Sequence, residues 1–150
     1  MIIKVQTQDF DLSQEVAALR AKDARVGAVA CFIGTVRDLN LGTGVSTLTL
    51  EHYAGMTELA LEDICQQASA RFDIYNSLVI HRYGELKPLD QIVLVAVTSA
   101  HRGEAFQACE FIMDFLKTQA PFWKKEQTPA GARWVESRDT DQAAADRWQK

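Results

Sequence analysis

The run QIVLVAVTS at 91–99 limits the fold more than any other segment of the chain. Its side chains are almost continuously apolar, which is typical of a strand buried near the centre of a sheet rather than at its edge. A second apolar run, SLVIHRY at 77–83, precedes it. Glycine and proline turn signals in GELKPLD, at 84–90, join the two runs. The sequence therefore predicts an antiparallel pair of strands with 91–99 in a central position.

The segment at 101–119 predicts a helix that follows this strand. Apolar residues recur there at steps of three and four, which places them on one side of a helix. These residues are Ala105, Phe106, Cys109, Ile112, Met113 and Leu116. Pro121 should end the helix, because proline lacks an amide hydrogen and clashes with the preceding turn.

The remaining elements follow from shorter patterns. Strands are predicted at 2–6, 27–36, 46–53, 122–128 and 134–137, with a loop at 37–44 and a turn at 130–133. Helices are predicted over 11–22, capped by Asp11 or Ser13, and over 56–72, where Thr57 makes a weak cap and Leu59, Ile64 and Ala68 lie at near-helical spacing. The polar tail at 139–150 should form a helical turn or fray.

The order of these elements indicates one α+β domain over residues 1–150. Strands and helices alternate with hairpin-like joins, which favours α+β over a doubly wound parallel fold. The chain has no internal repeat, low-complexity block or linker that would divide it.

Composition and charge exclude several classes of protein. The chain has 20 acidic and 16 basic residues, and its formal charge of -4 argues against a general nucleic-acid binder. No apolar run approaches the roughly 20 residues of a membrane span, and the N-terminus does not resemble a secretory signal. Cys31, Cys65 and Cys109 stand far apart with apolar neighbours, so we expect buried, inert thiols in a reducing cytoplasm.

Basic residues at a helix start indicate one candidate anion site. His101 and Arg102 lie where unpaired backbone amides and the positive end of the helix dipole favour an anion. Arg37 follows the strand at 27–36 and is a further basic candidate. The alternative for His101 and Arg102 is a helix start that faces water, and position alone favours that alternative.

Two lysines flank the APFW segment and indicate a second candidate site. A turn at Pro121 could bring Lys124 back toward Lys117. Crowding two ammonium groups, or desolvating one beside aromatic rings, favours the neutral amine and yields a nucleophile or general base. Strand alternation should place Glu126 on the same face as Lys124. The alternative is that these lysines lie on the surface, which the pattern alone favours for Lys117 and Lys125.

Two histidines lie outside these clusters. His52 and His81 each stand near the end of a predicted strand without a partner at metal-ligand spacing. We expect both to be structural.

Five long blocks of the sequence carry a resemblance to a known family. The blocks are FIGTVRDLNLG at 32–42, LTLEHYAGMTE at 48–58, VIHRYGEL at 79–86, VTSAHRGEAF at 97–106 and FIMDFLKTQAPFWKKE at 111–126. Together they resemble the large subunits of molybdopterin synthase. They keep the order and spacing of the family over nearly the whole chain. The resemblance implies an α/β hammerhead type of fold, with a mainly antiparallel sheet and a small additional β subdomain.

The resemblance also implies an activity and an assembly. A dimer of large subunits would receive two small, ubiquitin-like sulfur-carrier subunits, giving a heterotetramer. The C-terminal thiocarboxylate of each small subunit would donate sulfur to cyclic pyranopterin monophosphate and form the molybdopterin dithiolene. No resident metal or cofactor is implied, and molybdenum would enter later on another protein.

Site residues are carried over at the matching positions. Lys117 and Lys124 match catalytic lysines of the family. The residues that match its substrate-binding segments are Thr35, Val36, Arg37, His101, Arg102, Lys117, Lys124, Lys125 and Glu126. Arg138 is a candidate for a contact across the dimer.

Two positions depart from the family pattern. Gln119 and Lys125 stand where the family often has arginine. Because lysine and glutamine lack the forked guanidinium that binds anions in a bidentate manner, the phosphate ligands stay open at these positions. Two other functions also stay open: a non-catalytic module that binds a ubiquitin-like partner, and a phosphate-ester transferase that uses Lys117 and Lys124.

Overall fold

The computed structural model describes the backbone of residues 1–37, 39–40, 43–44, 47–128, 131–135 and 139–149, and the side chains of 1–37, 47–124 and 140–149. The helices within these ranges are α1 (Leu12–Arg20), α2 (Met56–Arg71), α3 (Arg102–Gln119) and α4 (Asp139–Asp146), followed by a 3-10 turn at Arg147–Gln149. The strands are β1 (Ile2–Gln6), β2 (Ala28–Thr35), β3 (Leu39–Asn40), β4 (Thr43–Gly44), β5 (Thr47–His52), β6 (Asn76–Arg82), β7 (Gly84–Leu86), β8 (Gln91–Ser99), β9 (Phe122–Thr128) and β10 (Gly131–Val135). No helix in these described ranges is long and apolar enough to cross a lipid bilayer.

The larger sheet has β8 in its interior, as the apolar run predicted. Its strand order is β1-β6-β8-β2, with β1 parallel to β6 and the other pairs antiparallel. Val93, Val95 and Val97 face a core formed with α2 and α3, whereas Leu94 and Ala96 pack with residues of α1 on the other side. The continuous apolar run is explained because both faces of β8 are covered, and the predicted α+β class is confirmed.

A smaller antiparallel sheet forms the additional β part of the fold. Its strand order is β10-β9-β5-β7, and Leu48, Leu50 and Leu86 form a small core with Val36 at the end of β2. The predicted strand at 122–128 coincides with β9. This sheet therefore continues from the last turn of α3 through Pro121, which places β9 close to the end of that helix.

Three predictions for the smaller elements were wrong. Residues 84–86 form β7 rather than part of a turn, because Leu86 is fully buried where it pairs with Leu48. The turn predicted at 130–133 is wrong at 131–133, because these residues belong to β10, which pairs from Gly131 opposite Thr128. The strand predicted at 134–137 is confirmed at 134–135, while 136–137 lie outside the described residues. The loop predicted at 37–44 contains the short β3–β4 ladder. In each case pairing with a partner strand decided the structure, which local turn signals do not report.

Three predictions about the helices, two on the burial of apolar residues and one on a helix cap, were also wrong. Leu59 and Phe106 are 66% and 63% exposed, although both were counted on apolar helix faces. Leu59 is two residues before the buried Leu61, which puts it on the opposite side of α2. Thr57 does not cap α2; the Glu58 carboxylate accepts a hydrogen bond from the Gly55 amide at 2.6 Å instead.

Candidate functional site

Helix α3 separates the predicted basic residues into two groups. His101 is the N-cap of α3 and Arg102 is its first residue, and both are exposed. Lys117 lies in the last turn of the same helix. At the helical rise, Arg102 and Lys117 are about 22 Å apart along the axis. A single chain therefore does not bring His101 and Arg102 together with Lys117.

Arg37 lies toward the Lys117 end of α3. Thr35, the last residue of β2, is opposite Gln91 at the start of β8, and α3 runs back along β8 after the strand ends. The intervening Val36 is buried, and its backbone amide donates to the Asp90 carbonyl at 2.9 Å. Val36 therefore fixes the path of the chain, while Thr35 and Arg37 are exposed beside it.

Both lysines lie near a buried histidine, His81. Its ring stacks on Phe122 with 3.7 Å between ring centroids and 17° between planes. Nδ1 lies 2.8 Å from the Arg82 carbonyl, which only accepts hydrogen bonds, so Nδ1 carries the proton. Burial lowers the pKa of His81 to about 3, and the charges of Lys117 and Lys124 act in the same direction. The structure thus brings the two lysines to one neutral imidazole.

A second histidine extends this aromatic group on the β9 side. His52, at the end of β5, is opposite Phe122 in the strand register, and its ring centroid lies 4.4 Å from that of Tyr83. Among the described residues, only His52 Nδ1 is a buried side-chain polar atom without a hydrogen-bond partner. Lys124 is half-buried two residues along β9 and lies opposite Leu50. Lys117 is the more exposed of the two lysines.

Three predicted residues lie wholly or partly outside the described part of the structure. Lys125 and Glu126 have a described backbone in β9, opposite Thr49 and Leu48, but their side chains fall outside the described ranges. The shared face of Lys124 and Glu126 therefore stays a prediction. Arg138 falls outside the described residues altogether.

An apolar groove of about 460 Å³ runs between β2 and α3 and includes Lys117. We call it the β2–α3 groove. Its apolar lining comes from Ala30, Cys31, Phe32, Phe106, Cys109 and Met113. Its charged lining comes from Glu110, Asp114 and Lys117, all on α3. The exposed Phe106 and the 44% exposed Phe32 are therefore explained as walls of this groove.

Comparison with known proteins decides the family. The sequence profile of the MoaE protein family matches residues 5–119. The chain belongs to the MoaE family. It is 65% identical over 146 residues to a molybdopterin synthase catalytic subunit of Ralstonia nicotianae, covering 97% of this chain and 83% of the relative. It is 56% identical to that of Escherichia coli, covering 97% of each chain.

A solved structure agrees with this assignment. The MoaE protein of Burkholderia ambifaria, described as a molybdopterin biosynthesis protein, superposes with a TM-score of 0.86 at 57% identity. The match covers 99% of this chain and 98% of that one. The family resemblance stated from the sequence is therefore confirmed.

The cysteines of this MoaE chain differ from one of our predictions. Cys65 and Cys109 are buried, and burial raises their pKa values to about 11 and about 12. Cys31 is exposed, so the prediction of a buried thiol was wrong there. Its apolar neighbours indicated burial, but β2 is an edge strand of the larger sheet and Cys31 lines the open β2–α3 groove.

Sequence reasoning missed several residues beside Lys117. His81 was expected to be structural, and its burial, its stack on Phe122 and its hydrogen bond to the Arg82 carbonyl agree with that; its position near both lysines was not anticipated, and its only local signal is a polar side chain inside an apolar strand. Glu110 and Asp114 share a helix face with Lys117, which their spacing could have indicated. Within the described residues, no group of three or more His, Cys, Asp or Glu side chains is arranged to hold a metal ion.

Proposed function

We propose that this chain is the catalytic subunit of a molybdopterin synthase. It transfers sulfur from the C-terminal thiocarboxylate of a small ubiquitin-like subunit to cyclic pyranopterin monophosphate, and so builds the dithiolene. The observation that carries this proposal is the placement of Lys117 and Lys124 beside one neutral histidine, with Lys117 also on the wall of an apolar groove. Its relatives, which are named catalytic subunits, support the same function.

The β2–α3 groove fits the tail of the sulfur-carrier subunit. An extended peptide can bury apolar side chains between Phe32 and Phe106, and Lys117 offers a positive charge to a terminal thiocarboxylate. The exposed Cys31 is not required as a sulfur carrier, because the sulfur arrives on the partner. The groove thus serves to hold the tail while Lys117 meets its reacting end.

The chemistry requires stabilisation of negative charge near the lysines. The thiocarboxylate sulfur bonds to a carbon of the pyranopterin and displaces an oxygen leaving group, which joins tail and substrate as a thioester. Water then adds to the carbonyl carbon of the tail to form a tetrahedral oxyanion, whose collapse breaks the acyl C–S bond, releases the tail as a carboxylate and leaves the sulfur on the substrate as a thiolate. Lys117 acts as the main acid/base or transient nucleophilic group, and Lys124 stabilises the thiocarboxylate and the oxyanion. A neutral His81 beside them adds no third positive charge at neutral pH.

The phosphate and pterin of the substrate need the other basic residues. Arg37 lies toward the Lys117 end of α3, whereas His101 and Arg102 lie at its far end. We therefore propose that a second copy of the chain supplies His101 and Arg102 to the site, within a homodimer that binds two small subunits. Thr35 and the side chains of Lys125 and Glu126 complete the substrate contacts, and Arg138 contacts the second copy.

Reconstitution tests the proposed function directly. The chain is mixed with thiocarboxylated small subunit and cyclic pyranopterin monophosphate, and the dithiolene product is measured. We expect Lys117→Ala to fold and bind the small subunit but to form product about a hundredfold more slowly or worse. Lys87→Ala, at an exposed lysine after β7, is the matched control and should keep the normal rate.

Three outcomes would contradict the proposal. One is a normal rate for Lys117→Ala. Another is capture of the thiocarboxylated partner without any pterin conversion, which would indicate a binding module. The third is turnover of a phosphorylated metabolite that does not depend on sulfur, which would indicate a phosphate-ester transferase.

A further inference from the structure

Two carboxylates lie on the same helix face as Lys117. Asp114 precedes Lys117 by three residues and Glu110 precedes it by seven, and all three line the β2–α3 groove. An acidic residue three positions before a lysine is well placed to form an ion pair with it on a helix. Such a pair would hold the amine of Lys117 in its charged form and occupy it, which would oppose a role in sulfur transfer.

The structure gives Asp114 different partners. Its Oδ2 atom accepts a hydrogen bond from Arg147 Nη2 at 2.7 Å and another from Trp148 Nε1 at 2.7 Å. Arg147 also forms an ion pair with Glu110. The Asp114 side chain is only 15% exposed, so its partners largely replace water. Among the salt bridges of the described residues, none joins Lys117 to Asp114 or Glu110.

Packing holds this C-terminal pair, Arg147 and Trp148, which we call the C-terminal clamp. The Trp148 ring meets Phe72 and Phe111 edge to face, with centroid distances of 5.8 Å and 5.5 Å. Its backbone carbonyl accepts a hydrogen bond from Arg71 Nη1. Because the tryptophan ring is anchored against the main core, its indole N–H points at Asp114 from a fixed position.

We propose that Arg147 and Trp148 are positioning residues for sulfur transfer: they hold the Asp114 carboxylate away from Lys117, so that its amine stays available to the thiocarboxylate. The inference rests on the proposed catalytic role of Lys117. A carboxylate as buried as Asp114 needs donors, because an unsatisfied charge in such a place is strongly unfavourable. When the clamp is removed, the neighbouring Lys117 is the cation on the same helix face that can replace it.

A double-mutant cycle tests this role in the reconstituted complex. We expect Arg147→Gln with Trp148→Phe to lower kcat about three- to tenfold, the effect of gaining one partly exposed ion pair, while KM for the small subunit stays within about twofold. Phenylalanine at 148 retains the ring packing. Introduced on top of Asp114→Asn, the same two substitutions should leave kcat unchanged, because the competing charge is gone.

A purely structural role would give a different result. Loss of packing would lower kcat equally with and without Asp114→Asn, and that outcome would overturn the inference. If the double substitution prevents folding, Trp148→Phe alone keeps the test valid, since it removes one donor and little volume. The unfolding temperature of each variant confirms that the folded state is being compared.

Chemical labelling tests the same inference without sulfur transfer. Reductive methylation of Lys117 at fixed pH, followed by peptide mass spectrometry, should be about three- to tenfold slower in the clamp variant and should recover with Asp114→Asn. Lys87 in the same samples is the internal control and should not change. Equal labelling of Lys117 with and without the clamp would overturn the inference. If labelling slows as expected but Lys117→Ala makes product normally, the proposed function fails and the clamp's effect on Lys117 stands.

Discussion

His81 is a buried, uncharged side chain near both proposed site lysines, Lys117 and Lys124. At neutral pH its imidazole is uncharged, because burial and the nearby lysines lower its pKa to about 3. Its ring stacks on Phe122, which lies between Lys117 and Lys124 in the chain. A protonated imidazole or another cation at this position would add a third positive charge in a region with little water, which is strongly unfavourable. His81 therefore contributes packing without charge.

The lowered pKa of His81 predicts a specific dependence of stability on pH. In the unfolded chain the imidazole binds a proton below its ordinary value of 6.5, whereas in the folded protein it does so only near 3. Unfolding therefore takes up a proton between these values, and stability falls as the pH falls. Between pH 7 and pH 5 this one group should remove about 2 kcal/mol of unfolding free energy.

Urea unfolding of His81→Leu measures this contribution. The variant loses a hydrogen bond to the Arg82 carbonyl and should be less stable at every pH. Between pH 7 and pH 5, however, its unfolding free energy should decrease by about 2 kcal/mol less than that of the natural protein. His52, Lys117 and Lys124, the other groups that act on His81, are present in both proteins. Parallel curves for the two proteins would show that His81 is not held neutral.

At the scale of elements, the start of β2 depends on one close approach. The Gly27 amide donates to the Ser99 carbonyl at 3.0 Å, and a Cβ atom at Gly27 would lie 2.3 Å from the Ala100 carbonyl oxygen. Because that oxygen belongs to the backbone between β8 and α3, it cannot move aside without disturbing both elements. Gly103, in the first turn of α3, has open space around the same position.

Two alanine substitutions should therefore have opposite effects. Gly27→Ala should destabilise the protein by about 1–3 kcal/mol through overpacking. Gly103→Ala should stabilise it by about 0.5 kcal/mol, because alanine favours the helix and restricts the unfolded chain. Denaturant unfolding of both variants checks the pair. Similar effects of the two substitutions would mean that the contact at Gly27 does not constrain the fold.

Local patterns predicted those elements whose burial is continuous or regularly periodic along the chain. The run at 91–99 predicted β8, and steps of three and four predicted α3 to within one residue at its start. They missed β7, which exists through pairing with β5, a strand distant in sequence, and they misplaced the start of β10, where Gly131 already pairs with Thr128 of the preceding strand. The predicted burial of Leu59 was wrong for a different reason. Apolar spacing identifies a helix, but it does not show which apolar residues pack against a neighbouring element.

The candidate site was predictable to a different degree. Resemblance proposed Lys117 and Lys124 as site residues, and the proline between them gave a reason to expect their approach. His81 was not identifiable, since its contact with Phe122 joins residues about 40 positions apart and only the folded sheets bring them together. The same holds for Asp114 and Arg147, which are 33 residues apart. Contacts between distant segments are therefore what the sequence does not reveal.

At the scale of the whole molecule, α3 carries proposed site residues at both ends. Lys117 lies at one end, with Arg37 toward the same side, while His101 and Arg102 lie about 22 Å away along the helix. One small substrate cannot span this distance within a single chain. Both groups can act on one substrate only when two copies place opposite ends of α3 at a shared site, so the proposed enzyme requires a dimer.

Mixing two inactive variants tests whether the site is shared. If each site combines Lys117 of one copy with Arg102 of the other, a dimer of one Lys117→Ala chain and one Arg102→Ala chain contains one intact site and one doubly damaged site. After random exchange of equal amounts, half the dimers are mixed, and the preparation should regain about a quarter of the normal product formation. Mixing Lys117→Ala with Lys124→Ala is the matched control; these residues lie near the same His81, so no activity should return. If the first mixture stays as inactive as its parents while exchange is verified by mass spectrometry, His101 and Arg102 do not complete the partner's site, and the substrate must be held by Arg37 and the lysines of a single chain.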